Sequence, residues 1–562
     1  MIKKISFYAF LFFLTTYLSA QTPAKYWIQF TDKNNSEYSI ENPDRYLSER
    51  AIEKRKMFNI PITETDLPVN QLYINNILNL DTGIVLFTKS KWFNAITVYT
   101  EDSLFSEKIQ KLPFVKDWER TISMKETERF VHKDSIYIYK IDRGEVEKKS
   151  LPRELNYGET NRQIRLNNVH WLHRMGFYGE NIVLMVMDAG FHNVDTLKYF
   201  QNLRDEQRLL GVRNFVQLGV NPFKKMSHGT MVLSCIVGYM PDKYVGTAPK
   251  VSVYLAKTED ERSENKIEED NWVAGIEWAD SLGVDIVNSS LGYTKFDDST
   301  ATRKYEDLTG RVSRASIAAD IAIEKGLIIC NSAGNEGNKK WYYIGSPADA
   351  HNVISVGATN NKGKIAPFSS HGPTADGRVK PDACATGWNT EVVHPRGRVI
   401  PSNGTSFASP MLAGMVACLR EAFPEKSNFE IIQAVRLSGS KAEYPDRDMG
   451  YGITDFLKAY NYLKYNYIDL NEANHQFIPK IKNFVVNEQT LELKINSNFK
   501  QTIYFQIEFQ KSKKVLKKKI PVKMGINDIK IKLPKTKLAY DFINLKIFRD
   551  DDKFEFLLGI EK

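Results

Sequence analysis

The chain has 562 residues, of which 42% are hydrophobic, 26% charged and 12% aromatic. That composition excludes a disordered, collagenous or disulfide-knot protein, and four cysteines without a CxxC pair exclude both a staple framework and a paired zinc site. The formal charge of +9 is local: residues 476–562 hold 19 of the 77 Lys+Arg and 10 of the 68 Asp+Glu, which leaves 58 of each elsewhere. A body with no net charge gives no reason to expect nucleic-acid binding.

Met1-Ile2-Lys3-Lys4 precedes an apolar run from Ile5 to Leu18, followed by Ser19-Ala20-Gln21. A positive start, a short apolar core and a small-residue exit predict a secretory signal peptide over 1–20. The run is too short to span a membrane comfortably, and no other segment is long and apolar enough to do so. The protein is therefore expected to be secreted, periplasmic or at the cell surface, with no integral membrane segment once the signal is removed. Residues 24–118 read as a small α/β unit. Strands are expected at Tyr26–Phe30, Gly83–Thr88, Trp92–Tyr99 and Phe114–Trp118. Helices are expected over Pro43–Met57, Asn70–Leu80 and Ser103–Leu112. This order resembles a split βαβ, ferredoxin-like arrangement. Residues 126–154 are charged, lack an apolar period and read as a linker.

From 155 to 465 strands alternate with helices. Ile182–Met187, Ser252–Ala256, Asp285–Asn288 and Leu327–Cys330 are apolar runs, and Glu269–Leu282 and Arg314–Lys325 are helical stretches between them. Such runs predict a parallel sheet covered by helices on both faces, with a ligand site at the strands' carboxyl ends. Residues 476–562 switch to period two, as in Leu491–Ile495, Ile503–Phe509 and Ile529–Leu533, which predicts a small all-β, sandwich-like domain. The preceding body has about 310 residues, enough for a complete core, so this unit is expected to be dispensable.

Four positions join a reactive side chain to a fitting location. Asp188 ends an apolar strand, where a partly desolvated carboxylate can orient a histidine. His228, in Ser227-His228-Gly229-Thr230, stands at a loop-to-helix junction and can serve as a general base. Asn335, in Ser332-Ala333-Gly334-Asn335, follows a strand and offers an amide to a developing oxyanion. Ser406, in Gly404-Thr405-Ser406-Phe407-Ala408-Ser409-Pro410, opens an apolar helix whose dipole favours negative charge. Each has a plainer reading alone: turn residue, packing histidine, turn asparagine, helix cap. His170 and His173, spaced i,i+3, read as surface or packing residues without a third ligand, and there is no HExxH.

Taken in order, these motifs resemble those of the subtilisin-like serine proteases, the subtilases, over roughly residues 155–465. The chain order Asp188, His228, Ser406 is the subtilisin order. The resemblance implies a serine endopeptidase with Asp188, His228 and Ser406 as catalytic triad and Asn335 in the oxyanion hole. Ser290, Leu291 and Gly292 would form one wall of the pocket for the residue before the scissile bond. Ala333 and Gly334 would form the facing wall, and Gly345–Ala348 the floor. The family usually has Thr or Ser after the catalytic Asp; here it is Ala189, which removes a hydroxyl beside the carboxylate.

The resemblance also implies that residues 21–125 are a pro-segment that inhibits its own catalytic domain, so that the protein is made as a zymogen acting on protein or peptide substrates. No cofactor is required. Many subtilases bind calcium, but no acidic cluster here has a spacing that assigns a site, and no metal ligand is named. Cys235, Cys330, Cys384 and Cys418 fall on apparent core elements and read as buried free thiols. Two rival readings use the same residues: an adhesion protein on an inactive protease fold, which would normally have lost a triad member, and a basic β unit that binds anionic polysaccharide. Lysines on alternating strands equally protect sheet edges from aggregation.

Overall fold

The structure, a computed structural model, describes residues 24–123, 150–465 and most of 481–561. The expected signal peptide and residues 124–149 of the linker region lie outside the described residues. Among the described residues, no helix is long and apolar enough to cross a membrane.

The first unit is a four-stranded antiparallel sheet in the spatial order Val85–Ser90, Ala95–Thr100, Ala24–Phe30, Val115–Ser123. This is the expected ferredoxin-like order, with helices Glu49–Met57, Gln71–Leu78 and Phe105–Ile109. The helix expected from Pro43 is interrupted. Pro43–Arg45 is a single 3-10 turn, and a separate helix starts after Ser48, whose side chain accepts from the Ala51 N–H. A serine with extended backbone satisfies an orphan helix donor better than a helical serine could. Alternation along the first strand divides labour. Tyr26, Ile28 and Phe30 join the unit's own core with Ile74, Ile77, Val98 and Phe105, while Trp27 lies under the Arg314 guanidinium of the second unit.

That second unit is a seven-stranded sheet with the order Ala383–Thr386, Ile354–Thr359, Ile328–Ser332, Ile286–Ser289, Val183–Asp188, Ser252–Lys257, Leu209–Asn214, and all its pairs are parallel. Helix Ile267–Leu282 packs with Arg314–Glu324, and helix His228–Val237 packs with Thr405–Ala422. The last of these is buried almost all round, as the apolar run from Pro410 to Leu419 requires. The four cysteines are buried free thiols.

The first unit sits on helix Ile267–Leu282 through charge as well as apolar area. Asp280, fully buried, accepts from Arg55 (2.6 Å) and Lys91 (2.6 Å), and Arg55 and Lys325 both pair with Asp66. Glu277 accepts from Ser90 Oγ (2.6 Å) and the Lys91 and Trp92 N–H groups. Lys54 donates to the Val284 carbonyl, and Arg50 pairs with Asp285.

The C-terminal strands form two sheets, Ile481–Asn487 with Thr490–Ser497 and Gly525–Lys532, and Val515–Val522 with Gln501–Phe509, Tyr540–Arg549 and Asp552–Glu561. Leu491 and Ile529 from one and Phe505, Ile507, Ile543 and Leu558 from the other share a core, as a sandwich requires. The unit is docked rather than merely tethered. Trp171 and Leu457 pack against Phe542 and Leu557, and the Asn461 amide exchanges two hydrogen bonds with the Leu557 backbone (2.7 and 2.8 Å). Deleting it would uncover these apolar side chains and remove both Leu557 partners of Asn461, which would keep only its bond to the Leu457 carbonyl (2.9 Å), so the expectation of dispensability needs this docking surface repaired as well.

Candidate active site

Asp188 is the last residue of its strand and is fully buried, while His228 is the first residue of its helix. The strand delivers the carboxylate to the carboxyl edge of the sheet, and the helix start lies directly over it. Gly229 makes this approach feasible, because a Cβ there would stand 2.5 Å from the Gly190 carbonyl oxygen and 2.9 Å from the Asp188 Cβ. His228 Nδ1 lies 2.9 and 3.0 Å from the two Asp188 oxygens. Burial alone would lower the His228 pKa, but the Asp188 charge and hydrogen bond outweigh it and hold the imidazole above its ordinary value. Ala189 lacks the expected hydroxyl, yet its backbone N–H donates to Asp188 Oδ1 at 2.8 Å, so the carboxylate keeps a local donor.

Ser406 is the second residue of helix Thr405–Ala422, and the next residue, Phe407, places its ring 5.8 Å from the His228 ring. In this conformation the Ser406 hydroxyl donates a long bond, 3.4 Å, to the Ser290 carbonyl. Pro410, four residues on, has no N–H to give the Ser406 carbonyl. Ser290 Oγ replaces it at 2.9 Å, and is itself held by Asn288 Nδ2 (3.1 Å), whose Oδ1 accepts from Ser409 (2.8 Å). One hydrogen-bonded chain thus ties the start of this helix to the end of strand Ile286–Ser289.

Asn335 Oδ1 accepts from the Thr405 N–H (2.9 Å) and Thr405 Oγ1 (3.1 Å), while Thr405 Oγ1 lies 3.2 Å from the Gly334 N–H. With the oxygen engaged on Thr405, the amide's donor end is left for another group. Thr405 and Pro410 were not singled out by sequence reasoning. The signal for Pro410 was present, since a proline in a helix frees the carbonyl four residues earlier.

The segments expected to wall the pocket are hydrogen-bonded to one another. Leu291 and Gly292 continue from Ser290, and the Leu291 carbonyl accepts from Asn331 Nδ2 (3.1 Å) in the strand preceding Ala333 and Gly334. Gly334 has φ +114, and a Cβ there would meet Ser370 Oγ at 2.8 Å, so this wall requires glycine. Tyr293 N–H donates to the Ser346 carbonyl (2.7 Å), joining wall to floor. Glu336 pairs with Lys339 at 2.8 Å.

His170 and His173 are buried packing residues rather than surface ones. His173 bonds Tyr157 OH (2.8 Å) and lies 3.0 Å from the Thr247 carbonyl, and burial lowers it to about 4, so it is neutral. Among the described residues, no group of three or more His, Cys, Asp or Glu side chains is arranged to hold a metal ion.

Comparison with known proteins places the chain in a family. The family model described as "Subtilase family" matches residues 179–452, and "Peptidase S8 propeptide domain, Bacteroidota" matches residues 25–135. Subtilisin of Bacillus pumilus is 30% identical over 264 residues, covering 46% of this chain and 84% of that protein. Subtilisin E of Bacillus subtilis is 30% identical over 285 residues, covering 50% of this chain, and the chain spans 65% of its length. The MycP3 protease of the type VII (ESX-3) secretion system aligns with a TM-score of 0.43 and 18% identity, over 57% of this chain and 99% of that one. The chain belongs to the subtilase family and carries a propeptide domain ahead of its seven-stranded sheet.

Proposed function

We propose that the protein is a secreted serine endopeptidase made as a zymogen, with Asp188, His228 and Ser406 as its triad. The observation that carries this is the pairing of His228 Nδ1 with buried Asp188 beside the helix that opens with Ser406. Asp188 fixes the imidazole so that Nε2 faces away from the carboxylate. For reaction the Ser406 hydroxyl leaves the Ser290 carbonyl and gives its proton to Nε2 as Oγ attacks the peptide carbonyl. The Asn335 amide and the Ser406 N–H, for which the described residues offer no acceptor, receive the oxyanion. The leaving amine takes the proton back from His228, and water then hydrolyses the acyl-enzyme. Residues 21–125 act as intramolecular inhibitor until cleaved. The test is a fluorophosphonate reagent, which should modify Ser406 alone; label on another residue, or none on an enzyme that hydrolyses peptides, defeats the assignment.

Two consequences follow from the same geometry. Asn335→Ala should lower kcat about 10²–10³-fold with little change in KM, the magnitude known for the oxyanion amide of subtilisin itself. The acid limb of kcat/KM should have its midpoint above 6.5, the ordinary histidine value, because only neutral His228 accepts the serine proton and Asp188 holds the charged form. A midpoint below that value in a pH-rate series would separate the base from this pair.

A further inference from the structure

The cleft wall that begins at Ser290 ends in a cluster of carboxyl groups that the proposed hydrolysis does not use. Three residues beyond Ser290, the buried Tyr293 donates its hydroxyl to Glu259. Glu259 follows Thr258, whose N–H donates to the Asp188 carbonyl at 3.1 Å. The cluster is therefore tied to the backbone of Asp188 and to the segment that continues from Ser290. Glu268, at the start of helix Ile267–Leu282, is 1% exposed, and neither of its carboxyl oxygens has a hydrogen-bond donor. Its carboxyl faces those of Glu259 and Glu264, and Glu264 is exposed at the outer edge.

Nearby cations are engaged elsewhere: Arg262 with Asp260, Lys266 with Glu119 and Arg303 with Glu269. No basic side chain among the described residues pairs with Glu259, Glu264 or Glu268. Burial and mutual repulsion push the carboxyl groups of Glu259 and Glu268 well above the ordinary carboxyl range. Ionising carboxyls buried together without a cation is costly, and the cost is relieved by a cation that brings its own hydrogen-bond donors.

We propose that Glu259, Glu264 and Glu268 form a subsite for a lysine or arginine side chain of the bound substrate. This rests on the endopeptidase reading. A substrate ammonium or guanidinium would reach the carboxyls from the side of the exposed Glu264.

The test uses the enzyme obtained from the full chain and a neutral octapeptide in which each position in turn carries lysine or its uncharged isostere norleucine. At one position the lysine peptide should have a kcat/KM at least about tenfold higher. Glu259→Gln combined with Glu268→Gln should bring that ratio close to one, and Glu264→Gln alone should lower it about threefold, which covers the case in which the buried pair does not tolerate substitution. Norleucine equal to or better than lysine at every position overturns the proposal. So does a ratio unchanged in the glutamine variants, or a lysine preference that disappears with EDTA and returns with calcium. If no peptide is hydrolysed and Ser406 is not labelled, the endopeptidase reading has failed. The subsite is then read by fluorescence anisotropy of the two peptides on the Ser406→Ala chain, where equal affinities overturn it.

Discussion

Replacing Ser406 with alanine should cost about 10⁶ in kcat, the loss that subtilisin suffers when its nucleophile is removed. The effect is so large because the nucleophile, the base and its carboxylate act as one unit. Without Oγ, the His228–Asp188 pair has no proton to take, and only the Asn335 amide and the helix N-terminus remain to polarise a bound carbonyl. The variant should fold normally, since the helix start is held by Thr405 on Asn335 and by Ser290 on the Ser406 carbonyl, and neither contact uses the Ser406 side chain. The precursor should therefore accumulate uncleaved, whereas the active protein should lose about 100 to 145 residues beyond its signal peptide, a range set by the length of the N-terminal unit and its linker. Mass spectrometry of both forms decides the matter. Processing of the alanine variant at the normal rate would assign maturation to another protease.

Asp280→Ala should weaken inhibition by residues 24–123, added in trans, by about 3–5 kcal/mol, or two to nearly four orders of magnitude in Ki. Asp280 is the buried point where Arg55 and Lys91 of the N-terminal unit converge. Removing it leaves Lys91 without its carboxylate and Arg55 with Asp66 alone, in an interface from which water is excluded. Burial would raise the Asp280 pKa, but Lys91 and Arg55 outweigh it and hold the carboxylate down at about 2. Its contribution is therefore present in full above its ordinary value of 3.8 and is lost only as pH falls toward 2. Mild acidification should not release the N-terminal unit through this group. Arg45→Ala is the control, because the Arg45–Glu37 pair is solvent-exposed and worth at most about 1 kcal/mol. Inhibition constants from progress curves give the comparison, and an Asp280→Ala enzyme inhibited as tightly as the wild type would show the ion pairs to be incidental.

Much of the site was legible because its chemistry coincides with element boundaries. A carboxylate at the end of an apolar strand, a histidine opening a helix and a serine opening another are local patterns, and their order along the chain is itself informative. The C-terminal strands were legible for the same reason, since alternation is a property of neighbouring residues. The single helix expected from Pro43 was not observed, because Ser48 caps a new one, and a short polar side chain decides such a boundary against the apolar spacing around it.

What the sequence determined by itself is thus most of the elements, the order of the units and which four side chains stand as candidates for the chemistry. Only the tertiary structure decided what those side chains lean on. The Asn335 amide is turned by Thr405, 70 positions away, and Ser290 stands in for the helix bond that Pro410 removes, 116 positions from the carbonyl it caps. Helix Ile267–Leu282 reads along the chain as an ordinary acidic helix. In the fold Asp280 is met by Arg55 and Lys91 of the N-terminal unit, Glu269 and Asp270 by Arg303 and Arg314 of the second unit, and Glu268 by no cation among the described residues, because charge compensation depends on which distant cation arrives: Arg55 lies 225 positions from Asp280.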